Sequence, residues 1–546
     1  MSGSVPIYDV IIIGYGPSGA VAANLLGQRG VRVLVIERLP EIIDIPRAVH
    51  FDGEVMRIFQ SLGLAEAIQE ISTPASGLVY LNASGKTLIK TDLSGGKVRH
   101  GWPRGHYFSQ PELESQLRKG TQRYSSVEVR LGWNLVELEQ TNKGVNISAC
   151  RLSDGITETF RARYLLGCDG GSSTLRKLLG TGMRKLGQAS SWLVCDTMLA
   201  RDIEGERPMY QVCDPARPTT IEPCNGRHVR WEFSITPSDS TEELAGENFV
   251  RSLMEPYLHL ITPSLQHSEF SIVRNKTYTF RSLVATRWRY NNVFLLGDAA
   301  HLTPPFLGQG MCAGIRDAFN LCWKLHGVID GHYGQTLLDT YQSEREPHVS
   351  AAIRDATRIG MAIQLSGRFK VWLRDLYLIA RRRIPFLTNP MEKEASWPLG
   401  PGLFDSARAS LPRTGTGNLF DQALVTTQEG MLQRIDDLLG TGFAVLCFGL
   451  NPRQFISAGS LRSLEFLDTQ VLRILPRGGH SDAATAVVDS HGDLADWRQH
   501  VGGADVAIIR PDRQVFGLYH GDPAALKAKI EHALSDLASG LELRPD

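Results

Sequence analysis

Paired cysteines are missing from this chain. Its 546 residues include eight cysteines, none of them in a CxxC pair, and no histidine cluster joins them at the spacing of a zinc site. The sequence therefore predicts no metal site. Free thiols in a reducing cytoplasm are the simplest interpretation of this cysteine usage.

An excess of charge and a long apolar run are also missing. Basic and acidic residues both number 58, and this balance argues against a protein that holds nucleic acid on a basic face. No apolar run approaches the roughly 20 residues that span a bilayer, and the first residues lack a signal-peptide pattern. We therefore expect a cytoplasmic protein that binds neither nucleic acid nor a membrane. The length predicts two or three domains.

The stretch from Tyr8 to Arg38 has the pattern of a dinucleotide-binding unit. A short apolar strand is followed by Gly14, Gly16 and Gly19 at GxGxxG spacing, then by a helix of small residues and a second apolar strand that ends at Glu37. In such a unit the glycines form a tight turn, admit a pyrophosphate and let helix and strand pack closely. The helix N-terminus favours phosphate, and the carboxylate suits a pair of ribose hydroxyls.

Two more turns follow predicted buried strands. The strand at residues 160–168 leads into Asp169-Gly170, and the strand at residues 293–296 leads into Gly297-Asp298. A loop with Pro304, Pro305, Gly308 and Gly310 comes next, and a long helix follows it. Because ligands of open α/β sheets bind at the carboxyl ends of the strands, these turns predict one extended site.

Several longer stretches resemble a known family. They read PRAVHFDGEVMRIFQSLGL, SQPELE, CDGGSSTLR, CDPARP, FLLGDAAHLTPPFLGQGMCAGIRDAFNLCWKL and IIRPDRQV. With the glycine motif they resemble the flavoprotein aromatic hydroxylases, class A monooxygenases of the para-hydroxybenzoate hydroxylase type, and within them the 3-(3-hydroxyphenyl)propionate hydroxylase group. The resemblance covers residues 5 to about 360.

The resemblance implies an α/β fold with a Rossmann-like FAD-binding domain, an inserted sheet-based substrate domain and a C-terminal thioredoxin-like domain. The last of these lacks the CxxC motif, so we expect a structural or dimer-contact role for it, with Cys447 as a core thiol. The expected segments are 1–189 and 274–384 for the FAD-binding domain with its helices, 190–273 for the substrate domain, 385–420 for a linker and 421–546 for the thioredoxin-like domain.

The resemblance also implies which residues contact FAD. Glu37 would hold the adenosine ribose, Arg47 would approach the pyrophosphate, and Gln110 and Asp298 would contact the ribityl region. The helix that follows Gly310 would point its positive end at the flavin. The full expected set is Gly14, Gly16, Pro17, Ser18, Gly19, Glu37, Arg38, Arg47, Gln110, Asp169, Gly170, Gly297, Asp298, Pro304, Gly308, Gln309, Gly310 and Met311. Alternative interpretations are a turn-forming role for Asp169 and a surface salt bridge for Arg47.

The implied reaction uses NADH or NADPH and O2, and proceeds through a flavin C4a-hydroperoxide. A phenolic substrate similar to 3-(3-hydroxyphenyl)propionate would be hydroxylated ortho to its hydroxyl. A base must remove the phenolic proton, and His50 is the candidate, with an ordinary loop histidine as the alternative. His106 and Tyr210 are weaker candidates, and His301 is better explained as structural or flavin-adjacent.

The expected substrate contacts are Tyr210, Arg217, Arg230 and Pro305, with Cys213 and Trp231 as further candidates. Other functions stay open. A heteroaromatic such as a quinolone or pyridine is an alternative substrate, and another enzyme of the same flavin fold or a non-catalytic nucleotide-binding protein is an alternative function. A homodimer is possible.

Overall fold

The computed structural model describes residues 7–44, 47–95, 98–203, 205–263, 265–383, 397–405, 415–480 and 485–543, without the side chains of residues 382 and 383. The first segment alternates strands and helices, as the glycine motif predicts. Its elements are β1 (Ile7–Ile13), α1 (Pro17–Gly27), β2 (Val33–Glu37), β3 (His50–Asp52), α2 (Gly53–Ser61), α3 (Ala65–Glu70) and β4 (Ser72–Pro74).

The second segment is mainly β-structure. Its elements are β5 (Gly77–Asn82), β6 (Thr87–Asp92), β7 (Gly105–Phe108), α4 (Gln110–Thr121), β8 (Val127–Leu131), β9 (Trp133–Thr141), β10 (Gly144–Arg151), β11 (Thr157–Gly167), α5 (Thr174–Leu178) and β12 (Met183–Lys185). β8 extends the first sheet beside β2, and β9 and β10 form an antiparallel extension of β11.

The third segment corresponds to the expected substrate domain. Its elements are β13 (Ser190–Leu199), β14 (Pro208–Cys213), β15 (Thr219–Pro223), β16 (His228–Ser234), α6 (Thr241–Ala245), α7 (Glu247–Met254) and β17 (Phe270–Phe280). The fourth segment returns to the first sheet and then forms long helices. Its elements are β18 (Leu283–Ala285), β19 (Arg289–Tyr290), β20 (Val293–Leu295), β21 (His301–Leu302), α8 (Gly310–Ile329), α9 (Thr340–Ile363) and α10 (Arg368–Arg383).

The fifth segment is the C-terminal domain. Its elements are β22 (Leu424–Thr426), β23 (Leu432–Arg434), α11 (Asp436–Leu439), β24 (Ala444–Phe448), α12 (Ala458–Phe466), β25 (Gln470–Leu475), β26 (Ala486–Asp489), α13 (Asp493–His500), β27 (Val506–Ile509), β28 (Val515–Tyr519) and α14 (Pro523–Gly540). Central β24 is parallel to β25 and antiparallel to β27, and β27 is antiparallel to β28. This is the thioredoxin-like arrangement expected. Cys447 is fully buried in β24.

The parallel sheet brings together the turns that were predicted to form one site. Its order is β19-β20-β11-β1-β2-β8, in which β1 pairs in parallel with β2 and β11, and β11 with β20. Ile13 lies opposite Ile36 and Gly167, and Gly167 lies opposite Leu295. The turns that follow these strands therefore lie side by side at the carboxyl edge of the sheet, as predicted.

The second large sheet has the order β17-β13-β16-β15-β14-β5-β6. It includes β5 and β6, because β5 pairs in parallel with β14, and it takes in all of β17. The expected segment 190–273 is therefore too narrow for this sheet. One face of the sheet packs on α6 and α7 through a hydrophobic cluster that includes Trp231, Phe233 and Met254.

A buried ionic cluster connects the C-terminal domain to the helices of the first domain. The Glu344 carboxylate on α9 accepts hydrogen bonds from Lys324 Nζ at 2.7 Å and Asn320 Nδ2 at 2.8 Å on α8. It also accepts from Arg510 Nη1 at 2.9 Å and Nη2 at 2.8 Å, and Arg510 pairs with Asp512 at 2.7 Å. The side chains of Lys324, Glu344 and Arg510 are fully buried.

The expected linker at residues 385–420 lies partly outside the described residues. Its described parts pack against the domains, since Leu403 and Phe420 are buried.

Helix α10 was not predicted, and it exposes Phe369, Trp372 and Tyr377. None of the described helices is long and apolar enough to cross a membrane.

Candidate functional site

A cavity of about 920 Å³ lies at the carboxyl edge of the parallel sheet and extends to the second large sheet. Of the residues expected in the site, these line it: Gly14, Gly16, Pro17, Ser18, Glu37, Arg38, Arg47, His50, Gln110, Asp169, Gly170, Arg230, Asp298, Pro305, Gly308, Gly310 and Met311. The others do not line it: Gly19, Tyr210, Arg217, Gly297, Pro304 and Gln309.

The glycine motif has the close contacts that its spacing predicts. Gly14 has a φ of +98°, and a Cβ atom there would lie 2.3 Å from the carbonyl oxygen of Cys168. A Cβ atom on Gly19 would lie 2.0 Å from the carbonyl oxygen of Gly14. Gly16 has no neighbour within 4 Å of that position, so its backbone borders open cavity. A larger residue is therefore excluded by the protein at Gly14 and Gly19, whereas at Gly16 the space is free for a ligand.

Glu37 is held in place at the end of β2 by two backbone groups. Its Oε2 accepts a hydrogen bond from Tyr15 N at 2.6 Å, and its Oε1 accepts one from Leu39 N at 2.9 Å. The carboxylate lines the cavity and retains lone pairs for hydroxyl donors. Arg47 also lines the cavity, and its half-exposed guanidinium is paired with Glu114 at 2.8 Å.

Asp298 faces the open cavity at the start of the turn after β20. Desolvation by the surrounding protein raises the pKa of this carboxyl. The preceding Gly297 has a φ of +58°, and a Cβ atom on it would lie 2.8 Å from Ser18 Oγ. The Gly297 turn and the first turn of α1 therefore approach closely, which holds the two parts of the cavity edge together.

His301 is structural. Its Nε2 lies 2.7 Å from Oδ2 of Asp317 on α8, and both side chains are fully buried. Asp317 also accepts hydrogen bonds from Gly297 N at 3.0 Å and Arg345 Nε at 2.9 Å. These partners hold the pKa of Asp317 below its usual range despite its burial. Asp317 thus fixes the segment 297–301 to the long helix, and His301 is not available to a substrate.

The Gln309 side chain points away from the cavity, in contrast to the expected flavin contact. Its Nε2 donates to Asp52 Oδ2 at 3.0 Å, and its Oε1 accepts from Arg316 Nη1 at 2.9 Å. Arg316 Nη2 donates to the same Asp52 oxygen at 2.6 Å, and Nε donates to Glu54 at 2.6 Å. This network anchors the loop before α8 to the start of α2, and leaves backbone from Gly308 to Met311 at the cavity.

His50 lies directly against that loop. A Cβ atom on Gly308 would lie 3.0 Å from His50 Nδ1, and Gly308 has a φ of +62°. The ring lines the cavity, and burial lowers the pKa of His50, with Asp52 opposing the shift. His106 is almost fully buried, stacks on Phe51 at 4.9 Å and has its pKa lowered by burial to about 4. His50 is therefore the histidine that faces the cavity.

Gln110 and Asp169 line the cavity but are engaged within the protein. Gln110 Oε1 accepts from Ala48 N at 2.7 Å, and its Nε2 donates to Glu114 at 2.7 Å. Asp169 accepts from Ser173 Oγ at 2.5 Å and from Leu175 N at 3.0 Å. Asp169 thus has the geometry of a turn-forming residue, which was the alternative to an FAD contact. Gln110 positions the segment before His50.

The second large sheet turns one face to the cavity. Arg230 is on this face, and its guanidinium pairs with Asp196 at 2.9 Å while Nη1 donates to the carbonyl oxygen of Arg47 at 2.8 Å. Trp231 is on the other face, where it stacks on Phe233, and Tyr210 packs into the same cluster. Arg217 pairs with Asp239 at 2.7 Å. Tyr210, Arg217 and Trp231 therefore lie away from the cavity, in contrast to the expected substrate contacts.

Four further residues of this sheet line the cavity and were not predicted: Glu222, Glu232, Arg274 and Tyr278. In β16 the charged residues alternate with Val229, Trp231 and Phe233, which is the signal that could have placed them on one face.

Cys213 belongs to a separate hydrophobic cluster beside α9 and α10. No group of three or more His, Cys, Asp or Glu residues in the described part of the chain could hold a metal ion.

Comparison with known proteins identifies the family. A model described as FAD binding domain matches residues 7–356, and one described as HcaD C-terminal domain matches residues 417–534. The 3-(3-hydroxy-phenyl)propionate/3-hydroxycinnamic acid hydroxylase of Mycobacterium sp. (strain KMS) is 35% identical over 519 residues, which cover 93% of this chain and 88% of the relative. This chain belongs to the FAD-dependent aromatic hydroxylases. A second member, the probable NADH-specific resorcinol 4-hydroxylase of Rhodococcus jostii (strain RHA1), is 35% identical over 512 residues, covering 93% and 92%.

Solved structures have the same fold as this aromatic hydroxylase. The flavin-dependent monooxygenase PieE, in complex with FAD and substrate, has a TM-score of 0.80 at 21% identity and covers 98% of this chain and 99% of its own. Aklavinone-11 hydroxylase, in complex with FAD and aklavinone, has a TM-score of 0.77 at 23% identity with the same coverage. The likeness extends through the C-terminal domain.

The residues at the cavity of this hydroxylase fit FAD. The backbone at Gly16 and Gly310 borders free space, as a bound pyrophosphate and a flat ring system require. Glu37 and Asp298 are carboxyl groups that face this space and can accept hydrogen bonds from ribose and ribityl hydroxyls. The N-terminus of α8, at Gly310, points backbone N–H groups at the same space. The alternative of a non-catalytic nucleotide-binding protein is not favoured.

Proposed function

We propose that this protein is a monooxygenase that hydroxylates a phenolic ring ortho to its hydroxyl group, with NADH or NADPH as the reductant and O2 as the oxygen donor. The observation that carries the proposal is the cavity of about 920 Å³, in which His50 and a polar sheet face adjoin the edge where FAD is expected. The names of the two relatives, a 3-(3-hydroxyphenyl)propionate hydroxylase and a probable resorcinol 4-hydroxylase, support a phenolic substrate.

Bound FAD supplies hydride acceptance and the activation of O2. The protein binds and orients the reactants. We expect Glu37 to hold the ribose, and the backbone from Gly308 to Met311 to lie along the ring. The sheet face with Arg230 would close the substrate side against water, which protects a reactive oxygen species from breakdown.

His50 is proposed as the base that accepts the phenolic proton. Burial lowers the pKa of His50, so the imidazole is neutral at pH 7 and can accept a proton at a ring nitrogen. A phenol that loses its proton becomes electron-rich at the ortho carbon, which favours attack on the transferred oxygen. The contact of the His50 ring with Gly308, which we expect to lie along the flavin, supports this role.

The proposal is tested by a screen of phenols with the FAD-loaded protein. We expect 3-(3-hydroxyphenyl)propionate or resorcinol to stimulate oxidation of NADH or NADPH and to yield a product one oxygen atom heavier by mass spectrometry. Pyridine and quinolone substrates serve as the heteroaromatic comparison. Reductant oxidation that gives hydrogen peroxide and no oxygenated product with every phenol would contradict the proposal.

Replacement of the base tests its role separately. His50→Ala should slow hydroxylation by roughly 10²-fold, the lower end of general-base contributions, and should retain FAD absorbance and flavin reduction. His259→Ala, at an exposed position of the short 3-10 helix before β17, is the matched control and should behave as wild type. Unchanged turnover of His50→Ala would show that another group removes the proton.

A homodimer and a cytoplasmic location are also proposed. The apolar side chains that α10 exposes, which include Phe369, Trp372 and Tyr377, support a contact between two copies. Light scattering of the purified holoenzyme should give a molar mass of twice the chain mass. The Trp372→Glu variant should give the mass of one chain. A monomer at micromolar concentration would remove this proposal. Cell fractionation tests the location.

A further inference from the structure

The sheet face that lines the cavity carries a row of alternating charges. Glu222 on β15 lies opposite Arg230 on β16, Arg230 lies opposite Asp196 on β13, and Asp196 lies opposite Arg274 on β17. Asp196 is fully buried and accepts hydrogen bonds from Arg230 Nε at 2.9 Å and Arg274 Nη1 at 3.4 Å. The positive charges of this row are therefore already compensated from within the sheet.

Glu232 is outside this row, and although it feels the charge of Arg230, the Arg230 guanidinium is bound to Asp196. The cross-strand neighbours of Glu232 are Thr220 and Val194, neither of which is charged. Glu232 is 7% exposed and lines the cavity, and no described group forms a hydrogen bond or ion pair with its carboxyl. A buried polar group without a partner is unfavourable, so this carboxyl is placed to accept a partner from a ligand.

The same wall is poorly suited to a carboxylate. Both Arg230 and Arg274 face Asp196, and Arg274 also lies over the Tyr278 ring at 5.0 Å. Arg281 lines the cavity beyond the end of β17 but is exposed, where solvent and salt screen its charge. An anionic substituent that reached this wall would be desolvated beside the Glu232 and Glu222 carboxyls, with Arg230 and Arg274 already engaged by Asp196.

We propose that Glu232 hydrogen-bonds a donor group of the substrate, so that the enzyme prefers an uncharged phenol with a second hydroxyl or amino group over a phenol with a carboxylate. This proposal rests on the proposed function, and specifies the substrate class for it. Burial raises the pKa of Glu232 to about 8, and the neighbouring Glu222 adds to the shift. A carboxyl in its neutral form can both accept from and donate to a hydroxyl group.

Three phenols that differ only in the substituent at the 3-position test separately the effects of a hydrogen-bond donor, an acceptor and a negative charge. Resorcinol carries a second hydroxyl, 3-methoxyphenol keeps the oxygen without the proton, and 3-hydroxybenzoate puts a carboxylate at that position. Each is titrated into the FAD-loaded enzyme without NADH or NADPH, and binding is followed by the change in flavin absorbance. We expect resorcinol to bind about tenfold more tightly than 3-methoxyphenol, and more tightly still than 3-hydroxybenzoate.

Two variants assign the preference to Glu232. Glu232→Ala should remove the difference between resorcinol and 3-methoxyphenol, and Glu232→Gln, which keeps a donor and an acceptor, should retain it. Glu242→Gln, on exposed α6, makes the same exchange outside the cavity and is the matched control. FAD absorbance shows that each variant is folded.

The outcomes distinguish this proposal from the proposed function. Equal affinity for resorcinol and 3-hydroxybenzoate in the wild type, an unchanged preference in Glu232→Ala, or no binding of resorcinol would overturn the assignment of Glu232. Binding with the expected preference but no oxygen transfer to any phenol would support the assignment and contradict the proposed function.

Discussion

The ionic cluster around Glu344 allows a quantitative prediction. Glu344→Gln replaces one acceptor oxygen by an amide that donates, in a site where Lys324, Asn320 and Arg510 all donate to the carboxylate. Arg510 keeps Asp512 as a partner, whereas Lys324 loses its carboxylate and keeps Asn320 Oδ1 at 3.0 Å. The variant therefore leaves a positive charge in excess in a fully buried site.

Removal of one partner from a buried ion pair costs about 3–5 kcal/mol, because the remaining charge is desolvated without compensation. Folded domains typically unfold with a free energy of roughly 5–15 kcal/mol, so this loss is a large fraction of the total free energy of unfolding. At roughly 2–4 °C of melting temperature for each kcal/mol, we expect the FAD-loaded Glu344→Gln variant to melt about 10 °C below wild type.

The measurement is thermal unfolding followed by the rise in flavin fluorescence as FAD is released. The matched control is Glu346→Gln, two residues along α9. Glu346 pairs with Arg184, whose side chain is 48% exposed, so its loss should cost less than about 1 kcal/mol. Equal melting temperatures for Glu344→Gln and wild type would show that the cluster does not stabilise the fold, and the inference from burial would be wrong.

Three further predictions follow from the site. Gly14→Ala should weaken FAD binding by about tenfold or more, measured by flavin fluorescence, because the new Cβ would lie 2.3 Å from the Cys168 carbonyl oxygen; full affinity would contradict the tight turn. Hydrogen bonds to Asp196 lower its pKa to about 2, below the unfolded value, so its stabilising contribution is present above about pH 4 and is lost as the pH falls towards 2. That loss, about 2 kcal/mol in denaturant titrations, should be missing in Asp196→Asn. Gly308→Ala should slow hydroxylation with FAD retained, since its Cβ would lie 3.0 Å from His50 Nδ1.

The residues at the carboxyl edge of the parallel sheet could be predicted from the sequence, because the local sequence pattern and the sheet topology both place them there. The glycines after β1, Glu37 after β2 and Asp298 after β20 each follow an apolar strand, and parallel pairing brings such turns together. The expected FAD-binding family and the thioredoxin-like domain are confirmed. The individual FAD contacts stay predictions, and the Gln309 side chain is an exception, because its bonds to Asp52 and Arg316 turn it away from the cavity.

The substrate wall was not predictable in the same way. Alternation in β16 separates Arg230 and Glu232 from Trp231, but it does not tell which set faces the cavity, since both faces of the strand are buried. The decision comes from α6 and α7, which cover the Trp231 face. The pairing of β5 with β14 also depends on contacts distant in sequence, so the sheet extends beyond its expected boundaries.

Helix α8 has a consequence for how the protein is made. Its first turn borders the flavin end of the cavity, Asp317 in its middle fixes the turn that carries Asp298, and Asn320 near its centre contacts Asp512, 192 residues later in the chain. At about 5–20 residues per second, a ribosome needs roughly 10–40 s to synthesise that interval. Until then the buried Lys324 and Glu344 lack Arg510, so the ionic cluster that joins α8 and α9 to the C-terminal domain is completed only after residues 510–512 have been synthesised.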